Sequence, residues 1–418
     1  MIFKDVRKKL SQELFFQKNG VRYPYGRVVL NTFLLGVKCL AGLFLTCLLA
    51  PLSLVIPVEI WLMKLGPDKA SHFIDGIEGH LRRNQFEGSG RKSICIVVWP
   101  QRFPNKTLAK MYRRAVFIVG PRQKFLAKVL PFVVWKKKIR NHEVNRFSVG
   151  KLNLMSRGEI SVSFSRDLLE LGHELNSKLF GGLQKPIIVL GYTSPKYRAE
   201  IDQMWHPGEN LVSMIPSPQS FIPLIKRLNQ QGYVVVRQGL NLDNDLDLES
   251  AGLIVPELDC GSGFADVWLA ARSDLVITAH TGGYFFAEVF NKPFVITDVT
   301  TTAFPSYSSR GTVIFALCWL IRENRFATFE WMKENPRWCF DREKVNREYH
   351  IVHNSPQQII DVVDEKLSRI SGSFVESEED QELQRRFHKL VFGVNESLPI
   401  LPRAGTKFLR EYQHLLPD

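Results

Sequence analysis

The chain has 418 residues, 45% of them hydrophobic, and a formal net charge of +13 at pH 7. This length is enough for two domains with a sizeable core, and the lack of repeats and low-complexity tracts excludes fibrous, coiled-coil and disordered architectures. The positive charge indicates an anionic partner, such as an inner membrane leaflet, a phosphorylated substrate or nucleic acid.

A long apolar segment lies near the N-terminus. Residues 39–58 carry no charge, mostly apolar residues precede them, and about 20 apolar residues are enough to cross a bilayer. Pro51 and Pro57 would interrupt a straight helix, and basic residues flank the segment on both sides. This pattern favours a re-entrant or in-plane hairpin with both ends in the cytosol. A single-pass anchor and a buried helix pair in a soluble protein are the alternatives.

We therefore predict that residues 1–70 form a basic arm followed by hydrophobic, membrane-associated helices. They would anchor the protein to the cytoplasmic face of the inner membrane through residues 28–63, approximately. A second basic region follows, because no acidic residue lies between Glu87 and Glu143. An ordinary solvated face mixes both signs of charge, so this stretch predicts contact with an anionic membrane surface or acceptor. It lacks any nucleic-acid-binding motif, so no nucleic-acid partner is predicted.

The next part of the chain has a first α/β pattern. Short β-branched runs at 93–98 and 115–119 predict strands, and the helical periodicity of 105–114 lies between them. Residues 151–182 are predicted to be largely helical, with a glycine stop at the end. We assign residues 71–182 to the first domain.

A second α/β pattern follows with a stricter alternation of elements. The predicted strands cover 186–193, 233–239, 252–258, 274–278 and 293–297, and the predicted helices cover 217–231, 264–272 and 284–290. Strands that are apolar throughout and alternate with helices are typical of a parallel, doubly wound sheet. We assign residues 183–375 to this domain and 376–418 to a C-terminal helical tail. Open sheets of this kind bind ligands beyond the carboxyl ends of their strands.

Glycines mark one predicted strand–helix junction. Gly282 and Gly283 leave main-chain N–H groups available at the start of a helix, an arrangement that suits a pyrophosphate. Glu288 lies about one turn into that helix and could reach ribose hydroxyls. The alternative is that the glycines only permit a tight turn and that Glu288 is solvated. The pattern is neither a P-loop nor GxGxxG.

Two further groups of polar residues follow predicted strands. Arg237 closes the strand VVVR and is followed by Gly239, so its guanidinium could meet a phosphate; an ion pair with Asp243 or Asp245 is the alternative. The segment GYTSPKYR, residues 191–198, offers hydrogen-bond donors after the first strand. Its alternative interpretation is an ordinary capped turn between a strand and a helix.

The order of these motifs carries a resemblance to a known family. GYVVVR, then DVWLAARSD-x-VIT-x-x-TGG, then AEVFNKPFVITD resembles the nucleotide-sugar-binding half of GT-B glycosyltransferases. More narrowly, it resembles a glycosyltransferase family found among bacterial surface-polysaccharide genes. NSPQQIIDVVDEKL, residues 354–367, is similar to the closing helix of that family, and PNKTLAKMYRR is similar to an early asparagine-then-helix block. The likeness is specific over about 186–300.

The resemblance implies a fold and an activity. The fold would be α/β, with two Rossmann-like domains of GT-B type that face a cleft, the first on the acceptor side and the second binding the nucleotide sugar. The activity would be transfer of a sugar from a nucleotide-sugar donor to a lipid-linked or surface-glycan acceptor, with no metal and no cofactor besides the nucleotide-sugar co-substrate. The alternative is a catalytically silent, membrane-bound scaffold of a polysaccharide assembly complex.

Residues can be matched to these roles. An inverting enzyme needs a general base, for which His142 and Glu143 are the first candidates and Asp167 and Glu170 the alternatives. His280 is expected to line the donor pocket. The predicted donor-binding residues are Tyr192, Thr193, Arg198, Arg237, Gly239, His280, Thr281, Gly282, Gly283 and Glu288.

Overall fold

The computed structural model describes residues 34, 36–45, 47, 70–87, 96–98, 105–119, 154–181, 185–193, 215–239, 246–256, 263–279, 282–302, 308–336, 338–341, 343–395 and 398–417. The chain divides into two compact units. The first comprises Met1–Asp68, Gly88–Pro104 and Tyr112–Val144, and the second comprises Lys69–Glu87, Asn105–Met111 and Asn145–Asp418. The predicted domain boundaries near 70, 182 and 375 stay predictions.

The described part of the first unit is small. It contains helical residues 36–45 and two strands, β1 (Ile96–Val98) and β2 (Phe117–Val119), which pair in parallel with Ile96 opposite Phe117. Both predicted strands are therefore present in shortened form. No helix in the described ranges is long and apolar enough to cross a membrane. The predicted anchor lies mostly outside those ranges and stays a prediction.

Helices make up the first part of the second unit. They are α1 (Ala70–Glu87), α2 (Lys106–Tyr112) and α3 (Arg166–Phe180). The last residue of α2, Tyr112, is assigned to the first unit. Gly181, with φ 59°, ends α3 because its left-handed conformation lets its N–H bond to the Ser177 carbonyl. The predicted glycine stop is confirmed.

Strands composed mainly of apolar residues form the main sheet of the second unit. The strands are β3 (Ile187–Gly191), β4 (Val234–Gln238), β5 (Leu253–Ile254), β6 (Leu275–Ala279), β7 (Phe294–Val299), β8 (Gly311–Phe315) and, late in the chain, β12 (Arg403–Ala404). Their order is β5-β4-β3-β6-β7-β8-β12, and all pairs are parallel. The predicted parallel α/β fold is confirmed.

Helices alternate with these strands along the chain. They are a 3₁₀ turn (Pro218–Phe221) continued by α4 (Ile222–Gln230), α5 (Leu246–Ser250), α6 (Phe264–Arg272) and α7 (Tyr284–Val289). Because helices cover the sheet, every residue of β3, β6, β7 and β8 is buried. The predicted strand at 252–258 is wrong in length, since β5 has two residues and Val255 and Pro256 are not part of it.

The rest of the chain differs from the sequence-based expectation. Between 311 and 352 no element was predicted, yet β9 (Leu317–Leu320) forms an antiparallel sheet with β10 (Arg325–Phe326) and β11 (Tyr349–Val352), and α8 (Phe329–Glu334) lies between them in sequence. α9 (Pro356–Ser371) is the predicted closing helix. The tail contains the expected helices α10 (Glu378–Phe392) and α11 (Thr406–Glu411), but it also adds β12 to the edge of the main sheet.

Candidate functional site

The strand order creates a switch point beside β3. From β3 the chain builds outward through β4 and β5, then crosses to the other side of β3 and builds outward again through β6, β7 and β8. Ligands of open α/β sheets bind beyond the carboxyl ends of the strands at such a reversal. Tyr192 and Thr193 follow β3, and Gly282 and Gly283 follow β6 after two residues outside the described ranges. The two motifs that the sequence pointed to therefore leave neighbouring strands at the same edge.

Arg237 lies at this carboxyl edge and is buried, with 1% of its surface exposed. Its guanidinium carbon is 3.6 Å from the centre of the Tyr192 ring, which is a cation–π contact. Nη1 donates to the carbonyl oxygens of Tyr192 at 3.3 Å and Gln238 at 2.9 Å. Arg237 therefore holds the first residue after β3 against the end of β4, and its phosphate contact stays a prediction.

Asp266, in the first turn of α6, is a second anchor at this edge. Its Oδ1 accepts the main-chain N–H of Gly239 at 2.8 Å. Gly239 has φ 99°, a left-handed conformation that other residues rarely adopt, so the turn after β4 depends on this glycine. Burial raises the pKa of Asp266, although the Gly239 hydrogen bond and the charge of Arg237 oppose this shift.

Asn105 is a residue whose role at the site the sequence did not reveal. Its Oδ1 accepts the N–H of Leu108 at 2.8 Å, which caps α2, and its Nδ2 donates to the carbonyl of Gly263 at 2.8 Å. Gly263 immediately precedes α6, the helix that carries Asp266. A side chain at Gly263 would overlap the Asn105 amide. The asparagine of the early asparagine-then-helix block thus joins α2 to the start of α6.

Glu288 is fully buried rather than solvated. Burial raises its pKa to about 7, and the charge of Arg82 opposes that shift. Arg82 is also fully buried; it donates to the Glu288 carbonyl at 2.6 Å and to Glu78 at 2.8 Å. The solvated alternative is therefore wrong, and ribose contact by Glu288 stays a prediction. Arg82 thus joins α1 to α7.

Several predicted residues cannot be assigned to the site. His142, Glu143, Arg198, His280 and Thr281 lie outside the described ranges. The alternative bases, Asp167 and Glu170, are exposed on α3 and form ion pairs with Lys110 and Arg166 at 2.9 Å and 3.1 Å. Within the described ranges, no group of three or more His, Cys, Asp or Glu side chains is arranged to hold a metal ion.

A polar cluster that was not predicted lies at the end of β7. Asp298 is fully buried, has φ 56°, and accepts at Oδ1 from the main-chain N–H of Asn354 at 2.9 Å. His353 places Nδ1 3.0 Å from the same oxygen. The only available signal was the NSP triplet at the start of the closing helix, because Asn354 is its first residue.

Comparison with known proteins gives distant structural likenesses. No protein-family model and no curated protein sequence matches the chain. A glycosyl transferase family 9 structure from Veillonella parvula is similar, with 13% identity over 61% of this chain and 85% of that one and a TM-score of 0.39. E. coli ADP-heptose LPS heptosyltransferase II is 13% identical over 75% of this chain and 98% of its own, with a TM-score of 0.40. Apo POFUT1 is 9% identical over 57% of this chain and 97% of its own, with a TM-score of 0.33. Overlap at this level does not establish a family or an activity for this chain.

Proposed function

We propose that the protein is a glycosyltransferase that moves a sugar from a nucleotide-sugar donor to a lipid-linked or surface-glycan acceptor without a bound metal. The observation that carries this proposal is the reversal of strand order at β3, which brings the residues after β3 and β6 to one carboxyl edge. These residues belong to the motifs whose order resembles GT-B donor domains. The topology and the motif order are independent observations, and they point to the same place.

The proposed chemistry has two requirements on the protein. When the acceptor hydroxyl oxygen bonds to the anomeric carbon, the bond from that carbon to the donor diphosphate breaks, and the nucleoside diphosphate leaves with the electron pair. Main-chain N–H groups and positive side chains near the diphosphate stabilise the charge that develops on it. A general base must also take the proton of the acceptor hydroxyl, a role proposed for His142 and Glu143.

Arg237 would support the donor by ordering the site. Its contacts with the Tyr192 ring and carbonyl fix the start of the loop after β3, and Asp266 fixes Gly239 after β4. Loops fixed from behind by buried side chains do not have to be ordered when the ligand binds, so less binding free energy is lost.

Nucleotide binding tests the proposal directly. Full-length protein should be stabilised in a thermal-shift assay by at least one of UDP, GDP, ADP or CMP; a ligand at a hundred times its Kd stabilises by about 2.7 kcal/mol. Arg237→Met keeps much of the side-chain volume but loses the hydrogen bonds and should weaken this effect. Arg227→Met is the matched control, because Arg227 is half exposed on α4 and pairs with Asp364.

The same assay addresses the scaffold alternative. Stabilisation by none of these nucleotides would contradict the enzyme proposal and favour the catalytically silent scaffold. If one nucleotide does stabilise the protein, a hydrolysis screen of the sugars linked to that nucleotide would identify the donor.

We also propose that the protein acts at the cytoplasmic face of the inner membrane. The support is the uncharged segment 39–58 and the acid-free basic stretch after Glu87. Deletion of residues 1–64 should move the protein from the membrane fraction to the soluble fraction. Full-length protein that already fractionates as soluble would contradict this part of the proposal without affecting nucleotide binding.

A further inference from the structure

Asn105 connects α2 to the helix that supports the end of β4. The residue is buried, with 3% of its surface exposed. Its Oδ1 accepts the N–H of Leu108 at 2.8 Å, and its Nδ2 donates to the carbonyl oxygen of Gly263 at 2.8 Å. The side-chain amide therefore bridges the first turn of α2 and the residue directly before α6.

The two bonds explain why asparagine stands at this position. A main-chain N–H can only donate and a carbonyl oxygen can only accept, so the two bonds together fix the orientation of the amide. Aspartate and serine also cap helices well, but an ionised aspartate has no donor, and the single oxygen of serine is too short to reach both partners. Capping of α2 thus accounts for Oδ1 alone, and the donor at Nδ2 has a second role.

Gly263 allows the amide to lie against the main chain at the start of α6. Its φ of 67° is left-handed, which favours glycine, and a side chain at this position would overlap the Asn105 amide. Both residues belong to the second unit. The bridge therefore fixes where α6 begins relative to α2.

The first turn of α6 carries this contact on to the end of β4. Asp266 accepts the Gly239 N–H at Oδ1 at 2.8 Å, and its carbonyl oxygen accepts from Gln238 Nε2 at 3.2 Å. Gln238 is the last residue of β4, and Gly239 begins the loop after it. Both bonds lie at the edge where ligands of open α/β sheets bind. A shift of the first turn of α6 would disturb the strand end and the loop together.

We propose that Asn105 is a positioning residue of the nucleotide site, which holds the start of α6 so that Asp266 can order the loop after β4. This inference rests on the proposed function, because it assigns the ordered loop to the binding of a nucleoside diphosphate. A loop that is already ordered loses less conformational freedom when the ligand binds. Loss of the bridge therefore weakens affinity, although Asn105 itself does not touch the nucleotide.

The bridge also couples nucleotide binding to α2. The segments Gly88–Pro104 and Tyr112–Val144, which flank Asn105–Met111 along the chain, belong to the first unit. Coupling between two sites is reciprocal, so a nucleotide that needs the bridge also stabilises it. Nucleotide should slow hydrogen exchange of the α2 amides in the wild type but not in Asn105→Ser. Exchange in the wild type at the same rate with and without nucleotide would contradict the coupling.

Two substitutions separate the bridge from the cap. Asn105→Ser and Asn105→Asp both keep a side-chain oxygen that caps α2, and neither can donate to Gly263 at the same time. For the nucleoside diphosphate that stabilises the full-length protein, calorimetry should give a Kd raised about fivefold in both variants, the usual effect of one lost hydrogen bond. Serine adds no charge, so a rise with aspartate alone would be charge repulsion and would contradict the inference.

Asn229→Ser is the matched control. Asn229 also donates from Nδ2 to main-chain carbonyls, those of Ala251 and Gly252 at 3.2 Å, and Gly252 again has a positive φ of 98°. These two residues precede β5 and so lie at the amino edge of the sheet, opposite the proposed site. In urea unfolding, Asn229→Ser should lose about as much stability as Asn105→Ser, but its Kd should be unchanged. An equal rise in Kd for both variants would show that position in the fold is irrelevant and would overturn the inference.

A double-mutant cycle tests the route through Asp266. Asp266→Ala should raise the Kd as well, and Asn105→Ser should raise it further by less than in the wild type, since the bond that Asn105 supports is already lost. Fully additive effects, or a Kd unchanged by Asn105→Ser, would overturn the inference and leave the proposed function standing. If the wild type binds no nucleotide, the proposed function fails and the inference fails with it.

Discussion

Charged side chains at the carboxyl edge of the main sheet are bonded mainly to main-chain atoms, whereas those at the C-terminal seam are bonded to one another. At the edge, Arg237 donates to two carbonyl groups, and Asp266 and Asp298 each accept a main-chain N–H. At the C-terminal seam, Asp380–Arg410 joins α10 to α11, Lys407–Asp361 joins α11 to α9, and Arg369–Glu365 lies within α9.

The two kinds of bonding have different structural consequences. A bond to main chain fixes a loop relative to its strand, and a ligand-binding edge needs fixed loops. An ion pair between two helices fixes the helices, and either partner can be re-solvated when the pair breaks. Variants at the edge should therefore change both stability and ligand binding, whereas variants at the seam should change stability alone.

The largest effect is expected for Arg237→Ala. Removal of this buried side chain leaves a cavity, takes two carbonyl groups from their donor and removes a positive charge near Asp266, so the free energy of unfolding should fall by about 4 kcal/mol. Nucleotide affinity should fall as well. Urea unfolding measures the stability and calorimetry measures the nucleotide affinity. A variant as stable as the wild type, with unchanged affinity, would contradict the claim that edge residues affect both stability and binding.

Asp380→Ala should have the next largest effect. The Asp380 carboxylate accepts two hydrogen bonds from Arg410 at 2.6 Å and one from the N–H of Ser377, the residue that caps the start of α10. We expect the free energy of unfolding to fall by about 3 kcal/mol. Nucleotide affinity should not change. Glu382→Ala, which removes an exposed ion pair with Arg385 on the same helix, is the control for stability.

Two buried groups should give opposite pH effects that nearly cancel in the wild type. Burial lowers the pKa of His388 to about 4, so the unfolded state binds a proton first and stability falls as the pH drops from about 6.5 to 4. Burial raises the pKa of Glu288 to about 7, so the folded state binds a proton first and stability rises as the pH drops from about 7 to 4.5.

Single variants separate the two effects. When the pH is lowered from 7.5 to 5, the unfolding free energy of His388→Gln should rise by about 2 kcal/mol relative to that of the wild type. Over the same change, the unfolding free energy of Glu288→Gln should fall by about the same amount relative to that of the wild type. Urea unfolding at the two pH values measures these differences. Equal pH dependence in all three proteins would mean that neither group titrates as its burial requires.

Arg227→Ala should have the smallest effect. Arg227 pairs with Asp364 between α4 and α9, but about half of its side chain is exposed. Exposed ion pairs contribute between 0 and about 1 kcal/mol, so stability should change by less than that, and high salt should reduce the change further. A loss of unfolding free energy as large as that of Asp380→Ala would show that solvent exposure does not distinguish the Arg227–Asp364 pair from the Asp380–Arg410 pair.

Local patterns predicted much of the fold. Each apolar run from 186 to 297 contains a strand, and the helices at 264–272 and 284–290 are present with nearly the same ends. These predictions succeed because a strand buried on both faces is apolar throughout, and because glycine marks the ends of α3 and α4. The strands from 311 to 352 were missed, and β12 could not be predicted because two residues carry no period.

The sequence also indicated part of the candidate site. Arg237, Gly239 and the glycines after β6 were recognisable because they lie at or just beyond the ends of apolar runs. Asn105, Asp266, Asp298 and His353 were not, since each acts on a residue 27 to 158 positions away. A polar residue next to an apolar run looks the same whether it caps a helix or anchors a distant turn.

The sequence by itself determined the parallel α/β character of the second half and the positions where polar residues leave the sheet, because these depend on neighbours along the chain. Only the tertiary structure decided the strand order, the burial of Arg82, Arg237 and Glu288, and the pairing of His353 with Asp298. Those features depend on which strands become neighbours in space. Strand neighbours follow from packing over the whole core, which no local pattern encodes.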